Sequence, residues 1–199
     1  MDNSIYVKSP LLPPLDFSEV ARYSGEKNTT RATFSLIEEC FSEVRELLNC
    51  KVAYGVFPIS LKAGQVDFPF GSFYSNDLEK CLSGCESALI FGATLGFAID
   101  RFVNRYSISS PVKALIFDAI GSERVEALCD AFCTEFCGND YSLTMRFSAG
   151  YGDFDIECQK DIFRVLDLSK RIGVSLNDSM LMSPSKSVTA IVGIKKKTV

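Results

Sequence analysis

Ser87–Thr94 reads SALIFGAT, a continuous apolar run bounded by polar residues. Its length suits a buried strand rather than a helix. Gly96 follows and opens a helix to about Tyr106. Upstream, Lys51–Ser60 (KVAYGVFPIS) reads as a second strand, and Gln65–Phe70 is expected to pair with it. Asn76–Leu82 is a short helix capped by Ser75 or Asn76. Downstream, Pro111 sits where a helix tolerates proline, at its first position, and starts the longest helix, to about Cys137, with Gly138 past its last turn. Tyr141–Ser148 reads as a strand, Cys158 to about Ile172 as a helix with Gly173 as its stop. Val174–Met182 and Ser187–Ile194 read as two strands joined through Ser183, Pro184 and Ser185. Nearer the start, Phe34, Ile37, Phe41, Val44 and Leu48 recur at three- and four-residue steps, so Thr30–Leu48 is an amphipathic helix with Asn28, Thr29 and Thr30 as its N-cap cluster. Pro10, Pro13 and Pro14 block helix before it, and Leu11, Leu12, Leu15 and Phe17 suit an arm lying on the body. The expectation is an irregular N-terminal arm over 1–28 and a single α+β domain over 29–199, with a mostly antiparallel sheet flanked by helices.

The chain of 199 residues is long enough for one sizeable core. Its 47% apolar and 23% charged content is that of an ordinary globular protein. No run of about 18 apolar residues predicts a membrane span, and the start has neither the basic nor the apolar region of a secretory signal. A net charge of −4 argues against a nucleic-acid partner held by phosphate contacts. The tail Lys195–Lys197 reads as a solvated end in preference to a small dock for an acidic partner. The eight cysteines are expected to be reduced thiols of a cytoplasmic protein. Cys129, Cys133 and Cys137, like Cys81 and Cys85, fall at four-residue steps. That spacing could hold a metal cluster, but it equally suits a packing seam of small residues, which is the reading preferred. The chain has no histidine, so imidazole ligands, Ser-His or Cys-His nucleophiles and His acid–base catalysis are excluded.

The candidate site is Met145–Asp153 (MRFSAGYGD), on the strand-to-helix connection. Arg146 offers a planar fork of donors to a carboxylate or phosphate. Tyr151 offers a ring and a hydroxyl, and Gly150 and Gly152 let a ligand approach the backbone. Taken alone, the stretch also reads as a turn with an exposed Arg and a packed Tyr. Glu126 is the second candidate. It falls on the stripe of Ala119, Cys129, Cys133 and Cys137, where a carboxylate is costly unless paired. Either it pairs at the helix edge or it faces a polar cavity.

Arg146, Gly150 and Tyr151 together resemble the Arg-x-x-x-Gly-Tyr motif of the S-adenosylmethionine-binding activation domain of cobalamin-dependent methionine synthase. Other stretches resemble that family in the same order. These are Val56–Pro58 (VFP), Ala88–Gly96 (ALIFGATLG), Arg124–Leu128 (RVEAL), Ile172–Val174 (IGV) and Asn177–Pro184 (NDSMLMSP). The similarity spans roughly 51–194. It implies a C-shaped body around a bent sheet, with S-adenosylmethionine in the concavity. It also implies that Glu126, Arg146, Ser148 (through its backbone), Gly150 and Tyr151 line the site. Arg146 would meet the ligand's carboxylate, Glu126 and Tyr151 its cationic groups. The chain departs from the family in lacking an Asp-Trp-Thr-Pro-like stretch, the Pro and His after Gly-Tyr (Glu157 aligns with that His) and a C-terminal ligand-contacting Tyr. No homocysteine zinc site, folate barrel or cobalamin-binding loop can be read in the sequence. The resemblance therefore implies a free-standing activation subunit. It would support reductive methylation of cob(II)alamin held by a partner methionine synthase, with a flavodoxin or ferredoxin-type electron donor. Two alternatives stay open: a non-catalytic interaction subunit that kept the fold, and a reactivation partner of a different corrinoid methyltransferase.

Overall fold

The computed structural model describes residues 4–26 and 30–196. Asn28 and Thr29 of the expected cap cluster, and Lys197 of the tail, lie outside them. The chain order is β1 (Tyr6–Lys8), α1 (Phe17–Tyr23), α2 (Arg31–Val44), β2 (Lys51–Pro58), β3 (Ser60–Lys62), β4 (Gln65–Phe68), β5 (Gly71–Tyr74), α3 (Asn76–Cys81) and β6 (Ser87–Thr94). There follow α4 (Ala98–Tyr106), α5 (Pro111–Cys137), β7 (Tyr141–Leu143), α6 (Gln159–Leu166), α7 (Leu168–Ile172), β8 (Ser175–Leu176), β9 (Met182–Ser183) and β10 (Ser187–Lys196).

The main sheet has the order β1-β2-β6-β10-β7, and every pairing in it is antiparallel. Its central strand β6 explains the unbroken apolar run. Leu89, Phe91 and Ala93 face a core built with α1, α2, α4 and α5. Ala88 and Ile90 face a second core built with α3, α6, α7 and β4–β5. A strand covered on both faces has no polar side to alternate with. In its middle, a side chain at Gly92 would meet Leu168 at 2.7 Å, so the glycine lets α7 lie close on the sheet. The α+β class and the antiparallel sheet flanked by helices are as expected.

Four local readings are corrected. The stretch 1–28 is not an irregular arm where it is described. β1 extends the sheet beside β2, and α1 buries Val20 and Ala21. Its cap is Asp16, whose side chain accepts from the Ser18 and Glu19 N–H groups at 2.9 and 3.1 Å. Residues 65–70 do not pair with β2. The chain turns back at residues 63–64 onto β3, so β3, β4 and β5 make a separate three-stranded sheet. The helix over 158–172 is two helices, broken at Asp167, whose backbone is left-handed with φ 49°. Asp tolerates that conformation through its short polar side chain, and the break lets Leu166 and Leu168 both be buried. Finally, Val174–Met182 is not one strand. Asn177 accepts from the Ser179 and Leu181 N–H groups, both at 2.9 Å, and closes a loop between β8 and β9.

Candidate functional site

β10 has a sheet neighbour on each side only at its far end. β7 pairs with Ile194–Lys196, and a single bridge joins Phe147 to Ile191. The expected strand over 141–148 therefore leaves the ladder at Thr144. The Thr144 hydroxyl accepts the Gly193 N–H at 2.8 Å, a role a backbone carbonyl would fill in a regular ladder. The chain bulges there, Met145 is exposed, and Arg146 reaches α5. Bulges of this kind re-aim side chains beside sites.

At the free end of β10 lies a cleft of about 820 Å³. It is walled by Glu126 of α5, by Arg146, Ser148 and Tyr151 of the motif, by Gln159 of α6 and by Met180–Met182 of the loop. Four of the five residues singled out in the sequence thus line one cavity. Gly150 shapes it from behind: its N–H donates to Phe154 O at 2.8 Å and closes the turn. The Ser148 hydroxyl donates to Thr189 O at 2.7 Å and pins the motif to β10.

The charged wall is a triad. Arg146 Nη2 donates to Glu126 Oε2 at 2.6 Å, and Nη1 pairs with Asp130 one turn further along α5. Burial works against the Arg146 charge, but the Asp130 hydrogen bond and the surrounding negative groups outweigh it, so the guanidinium stays fully ionised. The Glu126 side chain is 46% exposed, so both features of its sequence reading are present: it pairs at the helix edge, and it faces the cleft. Such a half-exposed pair adds about 1 kcal/mol or less to stability.

Asp153 holds the turn in place from outside. Its carboxylate accepts from the Asn76 N–H at 2.8 Å, the Asn76 side chain at 3.0 Å and the Asp77 N–H at 3.1 Å, and it bonds the Ser75 hydroxyl. These donors, the Ser75 hydroxyl foremost, hold its carboxyl well below the usual carboxylate range. The motif is thereby fastened to the start of α3. Gly152 completes the contact, with φ 54° and with an added Cβ clashing with the Asp77 carboxylate.

Sequence reasoning missed Asp130, Gln159 and the anchoring role of Asp153. Asp130 had a signal: it stands four residues after Glu126, on the same helical face. Gln159 had none, because a helix's first residue is ordinarily exposed.

All eight cysteines are free thiols. Burial pushes the Cys129 thiol up to about 12, despite nearby Arg146. Among the described residues no group of three or more Cys, Asp or Glu is placed to hold a metal. None of the described helices is long and apolar enough to cross a membrane.

This architecture is the fold of a methionine synthase reactivation domain. The crystal structure of the MetH reactivation domain bound to AdoHcy superposes with a TM-score of 0.67, covering 96% of this chain and 78% of that one, at 11% identity. Residues 129–198 match the family described as vitamin B12 dependent methionine synthase, activation domain. The resemblance carried by Arg146, Gly150 and Tyr151 lies inside that match, and Glu126 just ahead of it. No curated protein sequence matches the chain.

Proposed function

We propose that the cleft binds S-adenosylmethionine, and that the chain supports reductive methylation of cob(II)alamin held by a partner methionine synthase. The observation that carries this reading is the convergence of Arg146, Glu126, Ser148 and Tyr151 on one cavity of about 820 Å³. That is within the usual size for a small-molecule site. The residue types fit the ligand. The Arg146 fork suits its carboxylate. Glu126 and the Tyr151 ring suit its ammonium and sulfonium. Gly150 sets the backbone turn against which the nucleoside would lie, and Ser148, its hydroxyl spent on Thr189, would serve through its backbone.

Bound S-adenosylmethionine supplies the methyl group, and the partner's corrin supplies the metal chemistry. This chain's part is to hold the ligand, keep its charged end fixed and exclude water. No proton transfer is asked of it, in keeping with a chain that has no histidine. Met145, Tyr151 and Leu181 are 81%, 66% and 65% exposed and give the cleft an apolar rim, suited to close against a partner. The partner is a cobalamin-binding methionine synthase or another corrinoid protein, served by a flavodoxin or ferredoxin-type electron donor in the cytoplasm.

The test is reactivation in trans. A methionine synthase lacking its own activation domain, with its cobalamin oxidised to the Co(II) state, is mixed with S-adenosylmethionine, a reductant and this chain. Recovery of methionine formation that depends on the chain is expected. No recovery with any cognate corrinoid protein, while the chain binds the ligand, would contradict the role in reactivation.

A further inference from the structure

Gln159 opens α6 and lines the cleft, yet it is only 3% exposed. Its Nε2 is buried with no hydrogen-bond partner. Of the side-chain nitrogen and oxygen atoms described, just one other is in that condition, on Asp100, and Asp100 does not line this cleft. A buried amide without a partner lowers stability, and native proteins keep few of them. When such a group lines a ligand cavity, the missing partner is most simply part of the ligand.

The chemistry of the cleft says which part. Its charged groups, Glu126 and Arg146, suit the amino-acid end of the ligand. Apart from these, the wall of the cleft that Gln159 shares includes Ile156, Met180, Leu181 and Met182, side chains that suit the faces of a flat, weakly polar ring. A glutamine amide presents a donor beside an acceptor. Adenine presents the complementary pair, the N7 acceptor beside the N6 amino donor, and the two can bond in a bidentate fashion.

We propose that Gln159 reads the adenine of the bound ligand through its side-chain amide and makes the cleft specific for adenosyl compounds. The inference rests on the S-adenosylmethionine reading of the cleft. It accounts for the retention of an unsatisfied amide in a core position: the empty site carries the cost and the bound site recovers it. It also gives the chain a nucleoside contact that does not depend on the residues by which it departs from the family.

The test uses the whole chain and the Gln159→Met variant, which keeps the side chain's length and removes its hydrogen bonds. Thermal melts and calorimetric titrations are run with S-adenosylmethionine, S-adenosylhomocysteine and the S-inosyl analogue, in which the amino group is replaced by an oxo group. The variant is expected to melt at a higher temperature than wild type, because it no longer buries an unpaired amide. It is expected to bind both adenosyl ligands about tenfold more weakly, the worth of one well-made buried hydrogen-bonded contact. Wild type should prefer adenine over hypoxanthine, and the variant should lose the preference. Unchanged affinity and preference in the variant would overturn the role of Gln159 while leaving the site standing. Weaker binding with a lower melting temperature and an intact preference would mark Gln159 as structural and overturn it too. A wild-type protein that binds none of the adenosyl ligands would remove both this inference and the reading it rests on.

Discussion

Two ion-pair clusters sit within eight residues of each other on α5, and they are built to opposite ends. Glu123 and Arg124 are 6% and 1% exposed and pair with each other. The remaining Arg124 donors reach Pro13 O at 2.7 Å and Pro14 O at 3.1 Å, and Glu123 accepts the Asp16 N–H at 3.2 Å. What the two groups do not spend on each other holds the N-terminal segment against the helix. Glu126 and Asp130, on the cleft side, pair with Arg146 instead, and their side chains are 46% and 71% exposed. The first cluster is sealed and satisfied, and the second is open on one side. The contrast teaches where a ligand can compete. A buried guanidinium already bound by two backbone carbonyls and a buried carboxylate offers nothing, whereas one held by exposed carboxylates can exchange a partner.

The sharpest way to break the comparison is to remove one charge from each cluster. Arg124→Leu leaves Glu123 buried without its partner and two proline carbonyls unbonded, and should cost about 3–5 kcal/mol of stability in denaturant titrations. Glu126→Gln should cost less than about 1 kcal/mol in the same experiment. Equal costs would mean the two clusters are not different in kind.

Gly152→Ala probes the fastening of the motif rather than its charges. A side chain there meets Asp77 and a backbone conformation that favours glycine, so a loss of about 1 kcal/mol or more is expected. Ligand affinity should fall with it, because the turn carrying Tyr151 is displaced. A stable variant with wild-type affinity would show that the turn does not position the site.

The smallest effect concerns pH. The donors around Asp153 hold its folded-state carboxyl below the usual range. The unfolded chain therefore takes up that proton first as pH falls, and acid favours unfolding. The stability contributed by Asp153 is whole above the ordinary carboxylate value of about 4 and declines below it. Asp153→Asn should flatten the acid limb of a stability-against-pH curve while leaving the cleft cluster untouched. An unchanged limb would remove Asp153 as the anchor.

How far the molecule could be read in advance follows from what each region requires. α5 was legible because Pro111 and Gly138 punctuate it, and β6 because both its faces are apolar. The N-terminal segment was not, because what orders it is the buried Glu123–Arg124 pair more than 100 residues away, and sequence periodicity carries no such contact. The break at Asp167 was hidden for a similar reason: the apolar spacing runs through it, and the close seating of Leu168 on Gly92 is a tertiary contact that spacing does not carry. Of the residues that wall the cleft, Arg146 and Tyr151 were picked out through the resemblance of their motif, and Glu126 as a carboxylate falling on a packed helical stripe. Gln159 could not be, since its interest lies in a missing partner, visible only once the surroundings are in place.

The most direct measurement is a calorimetric titration of S-adenosylmethionine into the wild-type chain and into Arg146→Ala, with thermal melts of both. Saturable binding to wild type is predicted, at least about tenfold weaker or lost in the variant, since a charge-assisted pair to the ligand carboxylate is removed. The melting temperature should stay close to wild type, because the Arg146 pairs are half exposed. Wild-type affinity in Arg146→Ala, or no binding by the wild-type chain, would contradict the assignment of the cleft.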